Sequence, residues 1–351
     1  MWSPASPSLY TVTAQLRDAS GVIDSKVTRI GFRRIEVTPQ GLQLNGKPVF
    51  LTGWDRHEDS PRTAMAVDRE TTRQDLMRMK DAGANFIRLC HYPHHPAELD
   101  MCDEIGLMAM CEIPLNLIID PPRAATAARQ MERLISRDFH HPSIIFWSVG
   151  NETNDEDPAA AEFNRGLVRQ ARQLDPSRLC IHVSHKWKTD PNFDEDDVIC
   201  INYYPSITWK GRPGCSPELD LATSVAKWRR HLEALHQRYP SKLVLITEFG
   251  YVSLAGTYGH SFGEDLHARV IETEFACLTM PYLCGTTIWC WADHPWPPPG
   301  LFDGMAISPF GVLSRDRRPK KPFWSARKLF RAKQGIESPV KSSKSPGKNI
   351  F

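Results

Sequence analysis

The sequence predicts an α/β fold: a closed (β/α)8 barrel of parallel strands, each followed by a helix. Three observations carry this expectation. Strand-like apolar runs alternate with helical patterns eight times over residues 49–332, which is the extent such a barrel needs. The longest runs are continuously apolar, as strands buried on both faces are. Polar residues gather where the runs stop, the end at which barrels of this kind place their chemistry. The competing fold, an open doubly wound sheet, is disfavoured because no Gly-x-Gly-x-x-Gly follows the first strand.

Taken in order, Leu9–Arg17 and Val27–Val37 alternate apolar and polar residues around a turn at Asp18–Gly21, a hairpin pattern. Two strands cannot bury a core alone, so this piece is either the end of a larger sandwich or a strap on the main domain. Leu42–Val49, centred on Asn45-Gly46, is a second hairpin signal. Barrel strands are expected at Val49–Trp54, Phe86–Cys90, Leu107–Cys111, Ile144–Val149, Leu179–Val183, Val198–Asn202, Leu243–Thr247 and Thr286–Trp291. Between them, Arg69–Ala82 carries Leu76, Met79 and Ala82 at helical spacing. Pro96–Ile105 opens on proline, a favoured first helical residue. Longer helical patterns cover Ala124–Asp138, Ala159–Leu174, Leu221–Tyr239 and Glu264–Met280; Pro191–Asp197 and Pro322–Ala332 are weaker or shorter. Residues 333–351, rich in Lys, Ser and Pro, read as a disordered tail.

Composition narrows the function classes. Of the 351 residues 41% are hydrophobic and 24% charged, ordinary for a globular protein. A net charge of +2 argues against a nucleic-acid partner, and the basic cluster Arg315–Lys321 reads as a solvated loop. No apolar run approaches the roughly 20 residues that cross a membrane. The first ten residues lack the basic and apolar parts of a signal peptide. Nine cysteines include no Cys-x-x-Cys pair. Cys90, Cys111, Cys180, Cys200 and Cys290 fall in strand-like segments, as reduced small hydrophobes do. The expected location is cytoplasmic.

The chemistry lies at the strand ends. Ser143–Thr153 is an apolar run that halts at Gly150 and delivers Asn151 and Glu152; Lys242–Gly250 delivers Glu248 in the same way. Asp55 and His57 end the first strand, His91 the second, Glu112 the third, Asn202, Tyr203 and Tyr204 the sixth, and Trp289, Trp291 and Asp293 the eighth. Aromatic rings for a pyranose face and polar groups for its hydroxyls suit a small carbohydrate. Hydrolysing a glycosidic bond needs a proton for the leaving oxygen and negative charge beside an oxocarbenium-like centre. One carboxyl must therefore hold a proton near neutral pH while its neighbour is ionised. Burial raises the first; hydrogen bonds and cations keep the second low. Glu152 and Glu248 fit this pair. Glu112 is expected to support a neighbour. His91, His94 and His95 lack the His-x-x-x-His spacing of a helical metal site and are expected to hydrogen-bond. Strand alternation turns Trp289 and Trp291 to one inward face, with at least one lining the pocket.

Four segments together resemble glycoside hydrolase family 2, the β-galactosidases, β-glucuronidases and β-mannosidases. They are Phe146–Glu152, Thr247–Gly250, Asp55–Glu58 and Arg88–Pro93, in family order. The resemblance makes residues 1–37 the last strands of an immunoglobulin-like β-sandwich and residues 38–332 the catalytic TIM barrel. It implies a retaining exo-β-glycosidase without a cofactor. In it Glu152 is the general acid/base and Glu248 the nucleophile. Asn151 binds the 2-hydroxyl, His91 contacts the sugar, Tyr203 or Tyr204 steadies the nucleophile, and Trp289 is the sugar platform. Retention requires carboxyls roughly 5–5.5 Å apart. Three departures stand out. The family's N-terminal sugar-binding domain is absent, so a weakly active or inactive sugar-binding relic is the alternative, and the uncovered flanks favour a homo-oligomer. Asn116 stands where metal-dependent β-galactosidases carry a glutamate, with no histidine nearby, so no magnesium site of that kind is expected. Ser308 and Phe310 stand where β-glucuronidases place the Asn and Lys that bind the uronate carboxylate.

Overall fold

The computed structural model describes residues 1–207, 221–296 and 305–336. Strands β1 (Tyr10–Asp18) and β2 (Gly21–Ile30) form a two-stranded antiparallel sheet. Strands β3 (Ile35–Thr38), β4 (Gly41–Leu44) and β5 (Lys47–Pro48) form a three-stranded one. The barrel follows: β6 (Leu51–Arg56), β7 (Phe86–Leu89), β8 (Met108–Glu112), β9 (Ile144–Asn151), β10 (Leu179–Ser184), β11 (Ile199–Asn202), β12 (Val244–Phe249) and β13 (Leu283–Ile288). Each pairs in parallel with the next, and β13 closes on β6. The intervening helices are α1 (Arg69–Asp81), α2 (Pro96–Ile105), α3 (Pro121–Asp138), α4 (Pro158–Leu174), α5 (Leu221–Arg238) and α6 (Glu264–Cys277), with α7 (Lys321–Lys333) last. Two short strands, β14 (His294–Pro295) and β15 (Ile307–Ser308), pair above β13.

Local chemistry sets these boundaries. Helices α2, α3 and α4 each begin on a proline, whose missing N–H is no loss in the first turn. Asp157 caps α4 by accepting from the Ala159 and Ala160 N–H groups. Asn45 and Gly46, at φ 54° and 76°, make the tight left-handed turn between β4 and β5. The expected second strand Val27–Val37 is interrupted, because the chain leaves β2 at Ile30 and re-pairs as β3 with β4.

The barrel interior and its floor form one apolar cluster. Phe86, Met108, Met110, Phe146, Ile181 and Leu245 fill the lower lumen, and Trp2, Ile35, Leu42 and Leu44 close it from below. A second layer joins the outer strand faces to the helices, where Trp54 packs on Trp291, Phe323 and Phe330. The β1–β2 hairpin lies outside both. Tyr10, Val12, Leu16, Val22, Ile23 and Val27 are all exposed, and the two strands pair only with one another.

Several expectations are corrected. Residues 191–197 are turns rather than a helix. The Asp190 and Asp196 carboxylates accept from the Asn192 and His182 N–H groups, and Asp197 from that of Cys180. Such side-chain bonds compete with helix formation. The last barrel strand is Leu283–Ile288, three residues ahead of its expected end. Gly285 lies inside it and admits Leu51 of β6; an added Cβ would meet Leu51 Cβ at 2.4 Å. Trp291 is therefore beyond the strand and packs into the helical layer, while Trp289 stacks on His91. The basic stretch at 315–321 is only partly solvated. Arg315 pairs with Asp59 at 2.8 Å, Arg317 with Asp75 at 3.0 Å and Lys320 with Asp293 at 2.8 Å. These carboxylates are buried and draw in the cations they need. The eight cysteines among the described residues are free and buried. Of the expected tail, residues 337–351 lie outside the described residues.

Gly53 tests the closure of the cylinder. An added Cβ would lie 1.9 Å from the Phe86 carbonyl oxygen, a backbone atom that cannot move without opening the β6–β7 ladder. Gly53→Ala is expected to lower stability by about 3 kcal/mol, read as a fall in the urea midpoint; an unchanged midpoint contradicts this account.

Candidate active site

The parallel barrel brings the C-terminal ends of its strands to one rim, and the candidate residues meet there around Arg88. This arginine sits in β7 with its side chain wholly buried. Nη1 donates to Glu248 Oε1 at 2.6 Å and to Asp55 Oδ1 at 3.4 Å. Nη2 donates to Asn151 Oδ1 at 2.8 Å and to Glu112 Oε2 at 3.1 Å. One cation thus touches residues from β6, β8, β9 and β12.

Each partner is held from a second side. Glu248 Oε2 accepts the Tyr204 hydroxyl at 2.6 Å. Glu112 accepts from Ser148 Oγ at 2.6 Å and lies 2.8 Å from His91 Nδ1. Burial alone would raise the Glu112 carboxyl, but Arg88, His91 and Ser148 outweigh it and bring it down to about 2. Asn151 Nδ2 donates to Asn116 Oδ1 at 3.1 Å, and its own oxygen also accepts from Asn202 Nδ2 at 3.1 Å. The same Asn202 nitrogen reaches Glu152 Oε1 at 2.9 Å. The two glutamates are therefore linked through Asn202, Asn151 and Arg88.

Glu152 differs from Glu248 in backbone and in access. Its φ is 51°, in the left-handed region that non-glycine residues seldom adopt. The turn is fixed by its N–H donating to the Val183 carbonyl at 2.7 Å, and by Asn164, which donates to Thr153 and Asp155 just downstream. Its side chain is 22% exposed, with His185 Nδ1 3.5 Å away. The Glu248 side chain is 6% exposed. Burial raises the Glu248 carboxyl above the usual range, and the Glu152 charge adds to the rise; Arg88, His91 and Tyr204 oppose it. The expected division, burial on one carboxyl and a cation on the other, falls instead on a single residue.

The remaining candidates separate. His91 stacks on Trp289 with ring centroids 5.3 Å apart and planes 16° from parallel. His57 meets both rings edge-on and lies 3.2 Å from the Tyr92 hydroxyl through Nδ1; burial, with His294 and His91 nearby, pushes its imidazole well down, so it is neutral. Of the two tyrosines, only Tyr204 reaches Glu248. Tyr203 turns outward, its ring on Trp228 and its hydroxyl 3.4 Å from His231. Asp55 is fully buried behind Arg88. His94 Nδ1 faces Glu98 at 3.0 Å, and His95 caps α2 by accepting from the Ala97 N–H. The sequence assigns Arg88 no role of its own and Asn202 only a place among the polar strand ends. The signal for Arg88 was a charged residue inside the apolar Phe86–Leu89 run, the informative kind of buried polar group.

Among the described residues, three groups bring potential metal ligands within 4.8 Å of one another: His57, Cys90 and His91; Glu58, His94 and Glu98; and Asp155, His182 and Asp190. In each, the donors are already engaged within the chain. Burial pushes the Cys90 thiol well up, away from the thiolate a metal takes. Glu98 accepts from Arg56 and faces His94. His182 lies between Asp190 and Asp196 at 3.0 and 2.7 Å; burial would lower it, but the two carboxylates hold it well above its usual value, as an imidazolium.

Behind the segment carrying Tyr204, Glu274 of α6 accepts from the hydroxyls of Ser206 and Ser224. Burial pushes its carboxyl up to about 7 from 4.5, against those two bonds. A carboxyl raised on folding contributes stability below pH 4.5 that is lost as the pH climbs through 7. Glu274→Gln, which mimics the protonated form, is expected to melt with wild type at pH 4 and to be more stable by about 3 kcal/mol at pH 8. Equal stabilities at pH 8 contradict the assignment.

Residues 35–276 match the model for the glycosyl hydrolases family 2 TIM barrel domain, and residues 1–33 match a second glycosyl hydrolases family 2 model. A β-galactosidase of Photobacterium profundum is 30% identical over 332 residues, covering 90% of this chain and 29% of that protein. A β-glucuronidase of Streptococcus agalactiae is 26% identical, covering 92% of this chain and 56% of that protein. Among solved structures, the β-D-glucuronidase of Dictyoglomus thermophilum superposes with a TM-score of 0.87 at 27% identity, over 94% of this chain and 58% of that one. The β-galacturonidase of Eisenbergiella tayi, bound to galacturonate, gives 0.84 at 27% identity, over 94% and 59%. The chain thus spans between 29% and 59% of the length of these relatives. With matching models over both its segments, the chain belongs to glycoside hydrolase family 2.

Proposed function

We propose that this glycoside hydrolase is a retaining exo-β-glycosidase in which Glu248 is the nucleophile and Glu152 the general acid/base. The observation that carries the reading is the unequal setting of two glutamates at one rim. Glu248 has one oxygen on Arg88 and the other on Tyr204. Arg88 offers only donors, so the ionised form of Glu248 is the one this pair of contacts selects. Burial pushes the Tyr204 hydroxyl far up, which keeps it a donor. Glu152 is more accessible and meets Asn202 through one oxygen, leaving the other to deliver a proton.

In the first step a Glu248 oxygen attacks the anomeric carbon while Glu152 gives its proton to the departing glycosidic oxygen. The product is a glycosyl ester on Glu248. In the second, Glu152 takes a proton from water, which attacks the same carbon and releases Glu248. The stacked His91 and Trp289 offer a face to the ring. Asn151 is assigned to the 2-hydroxyl, as the family resemblance implies, although its amide already serves Arg88, Asn202 and Asn116.

The substrate is a β-galactoside or a β-glucuronide. Phe310 bears on this choice: it is 2% exposed and packs edge-on against Tyr204 with centroids 5.7 Å apart. A uronate carboxylate needs a cation or several N–H donors. Phe310 supplies neither, and Ser308 is fully buried. The galactoside is therefore preferred. A second reading, a sugar-binding relic of weak or no activity, is kept open by the short span of the relatives that the chain covers.

A panel of nitrophenyl β-glycosides separates these readings; binding without turnover on every sugar favours the relic. On the substrate that is turned over, Glu152→Gln and Glu248→Gln are each expected to lower kcat by at least about a thousandfold with melting temperature unchanged. The first product seen by NMR is expected to be the β-anomer. Turnover like wild type in either variant, or an α-anomer first, overturns the assignment. Tyr204→Phe removes a bond to a charged group and is expected to lower kcat by about 10- to 100-fold. Tyr203→Phe is expected to stay within about twofold, and the reverse order of the two tyrosines contradicts the geometry.

A further inference from the structure

The catalytic reading accounts for Glu152, Glu248, Arg88 and Tyr204 but leaves Asp55 without a task. Asp55 is the penultimate residue of β6 and is fully buried, so a sugar does not reach it. Its Oδ1 lies 3.4 Å from Arg88 Nη1, the nitrogen that also donates to Glu248 at 2.6 Å. Its Oδ2 is buried and has no hydrogen-bond partner.

Charge counting makes this unusual. A single guanidinium touches three carboxyls, those of Asp55, Glu112 and Glu248, whose side chains are 0%, 0% and 6% exposed. Were all three ionised, the buried cluster would carry two uncompensated negative charges, which a low-dielectric interior resists. His91 faces Glu112 at 2.8 Å and Glu248 at 3.9 Å, and even as an imidazolium it would leave one negative charge uncompensated. Cys90 and Cys290 lie beside Asp55, and burial keeps both thiols protonated. His57, two residues along, is neutral. At least one carboxyl must therefore hold a proton, and the contacts say which. Glu112 is engaged by Arg88, Ser148 and His91. Glu248 is engaged by Arg88 and Tyr204. Asp55 has the longest contact with the cation and an oxygen that nothing solvates.

We propose that Asp55 is a positioning residue that remains un-ionised at neutral pH and so leaves the charge of Arg88 to Glu248 and Glu112. Burial, with the charges of Glu248 and Glu112, drives its carboxyl well up, and Arg88 opposes this only in part. The un-ionised group still accepts the second N–H of Nη1 through its carbonyl oxygen, which fixes the plane of the guanidinium and with it the oxygen of Glu248. An ionised Asp55 would compete for the same nitrogen and favour protonation of the nucleophile. The role of Asp55 toward a nucleophile rests on the function proposed above; its protonation state does not.

The test therefore has a readout that needs no turnover. In the full chain with 13C-carboxyl-labelled aspartate, an un-ionised resonance is expected at pH 8, where Asp196 and Asp293, pushed up to about 6, are ionised. That resonance is expected to vanish in Asp55→Asn, or in Asp55→Ser should the first variant fail to fold. Finding every aspartate ionised at pH 8, or a resonance that survives the substitution, overturns the proposal. On a hydrolysed glycoside, Asp55→Ala is expected to lower kcat/KM at least about tenfold. Asp55→Asn is expected to recover most of that loss, with the acid limb of the pH profile where wild type has it. An acid limb displaced to lower pH by a unit or more in Asp55→Asn means that a negative charge was removed, and overturns the proposal. If wild type hydrolyses no glycoside while the resonance behaves as expected, the proposed function fails and the protonation of Asp55 stands.

Discussion

The buried guanidinium of Arg88 is the constraint on which the rim of this barrel depends. A charge wholly removed from water is tolerated only where opposite charges and hydrogen bonds replace the solvent. Arg88 obtains these from β6, β8, β9 and β12 at once. The same contacts that make its burial possible fix the positions of Glu248, Glu112 and Asn151. Structural need and the proposed catalytic geometry are here a single set of interactions. Replacing Arg88 would leave several buried carboxyls without their cation, so loss of fold and loss of function would be hard to tell apart at that position. Tyr204 and Asn202 are outer members of the network and can be altered with less disturbance.

Much of this arrangement was legible in the sequence, for identifiable reasons. Ile144–Val149 and Leu243–Thr247 are apolar runs long enough to cross a barrel wall, and each stops at a polar pair or single carboxylate. That punctuation places Glu152 and Glu248 on the rim before any coordinates are known. The proline that opens α2 was equally plain, whereas α3 and α4 begin on Pro121 and Pro158, three residues and one residue ahead of their expected starts. What escaped were features decided by side-chain direction beyond the end of a strand. Tyr203 and Tyr204 are adjacent and chemically alike, and only the turn after β11 sends one to Glu248 and the other to Trp228. Trp289 and Trp291 look like two positions of one strand, but the ladder has ended at Ile288, so alternation no longer governs them.

Charge was harder to read than pattern. Arg315, Arg317 and Lys320 stand in a run of basic residues that looks like a solvated loop. Their partners Asp59, Asp75 and Asp293 lie far away in sequence, so nothing local announces the pairing. These three ion pairs join the last segment of the chain to the loop after β6, to α1 and to the segment after β13. They brace the side of the rim on which His57 and Trp289 sit. The residues that shape the pocket are in this way held by contacts that composition alone would assign to solubility.

The left-handed backbone at Glu152 has a consequence of its own. A side chain with a Cβ is disfavoured at φ 51°, and glycine or asparagine would occupy the position at lower conformational cost. What suits the main chain at 152 is thus opposed to what suits the proton donor proposed there. Drift toward a more comfortable residue would relax the turn while erasing the carboxyl that this proposal needs. A glutamate kept in so unfavourable a posture marks a place where the polypeptide's own preferences have been overruled.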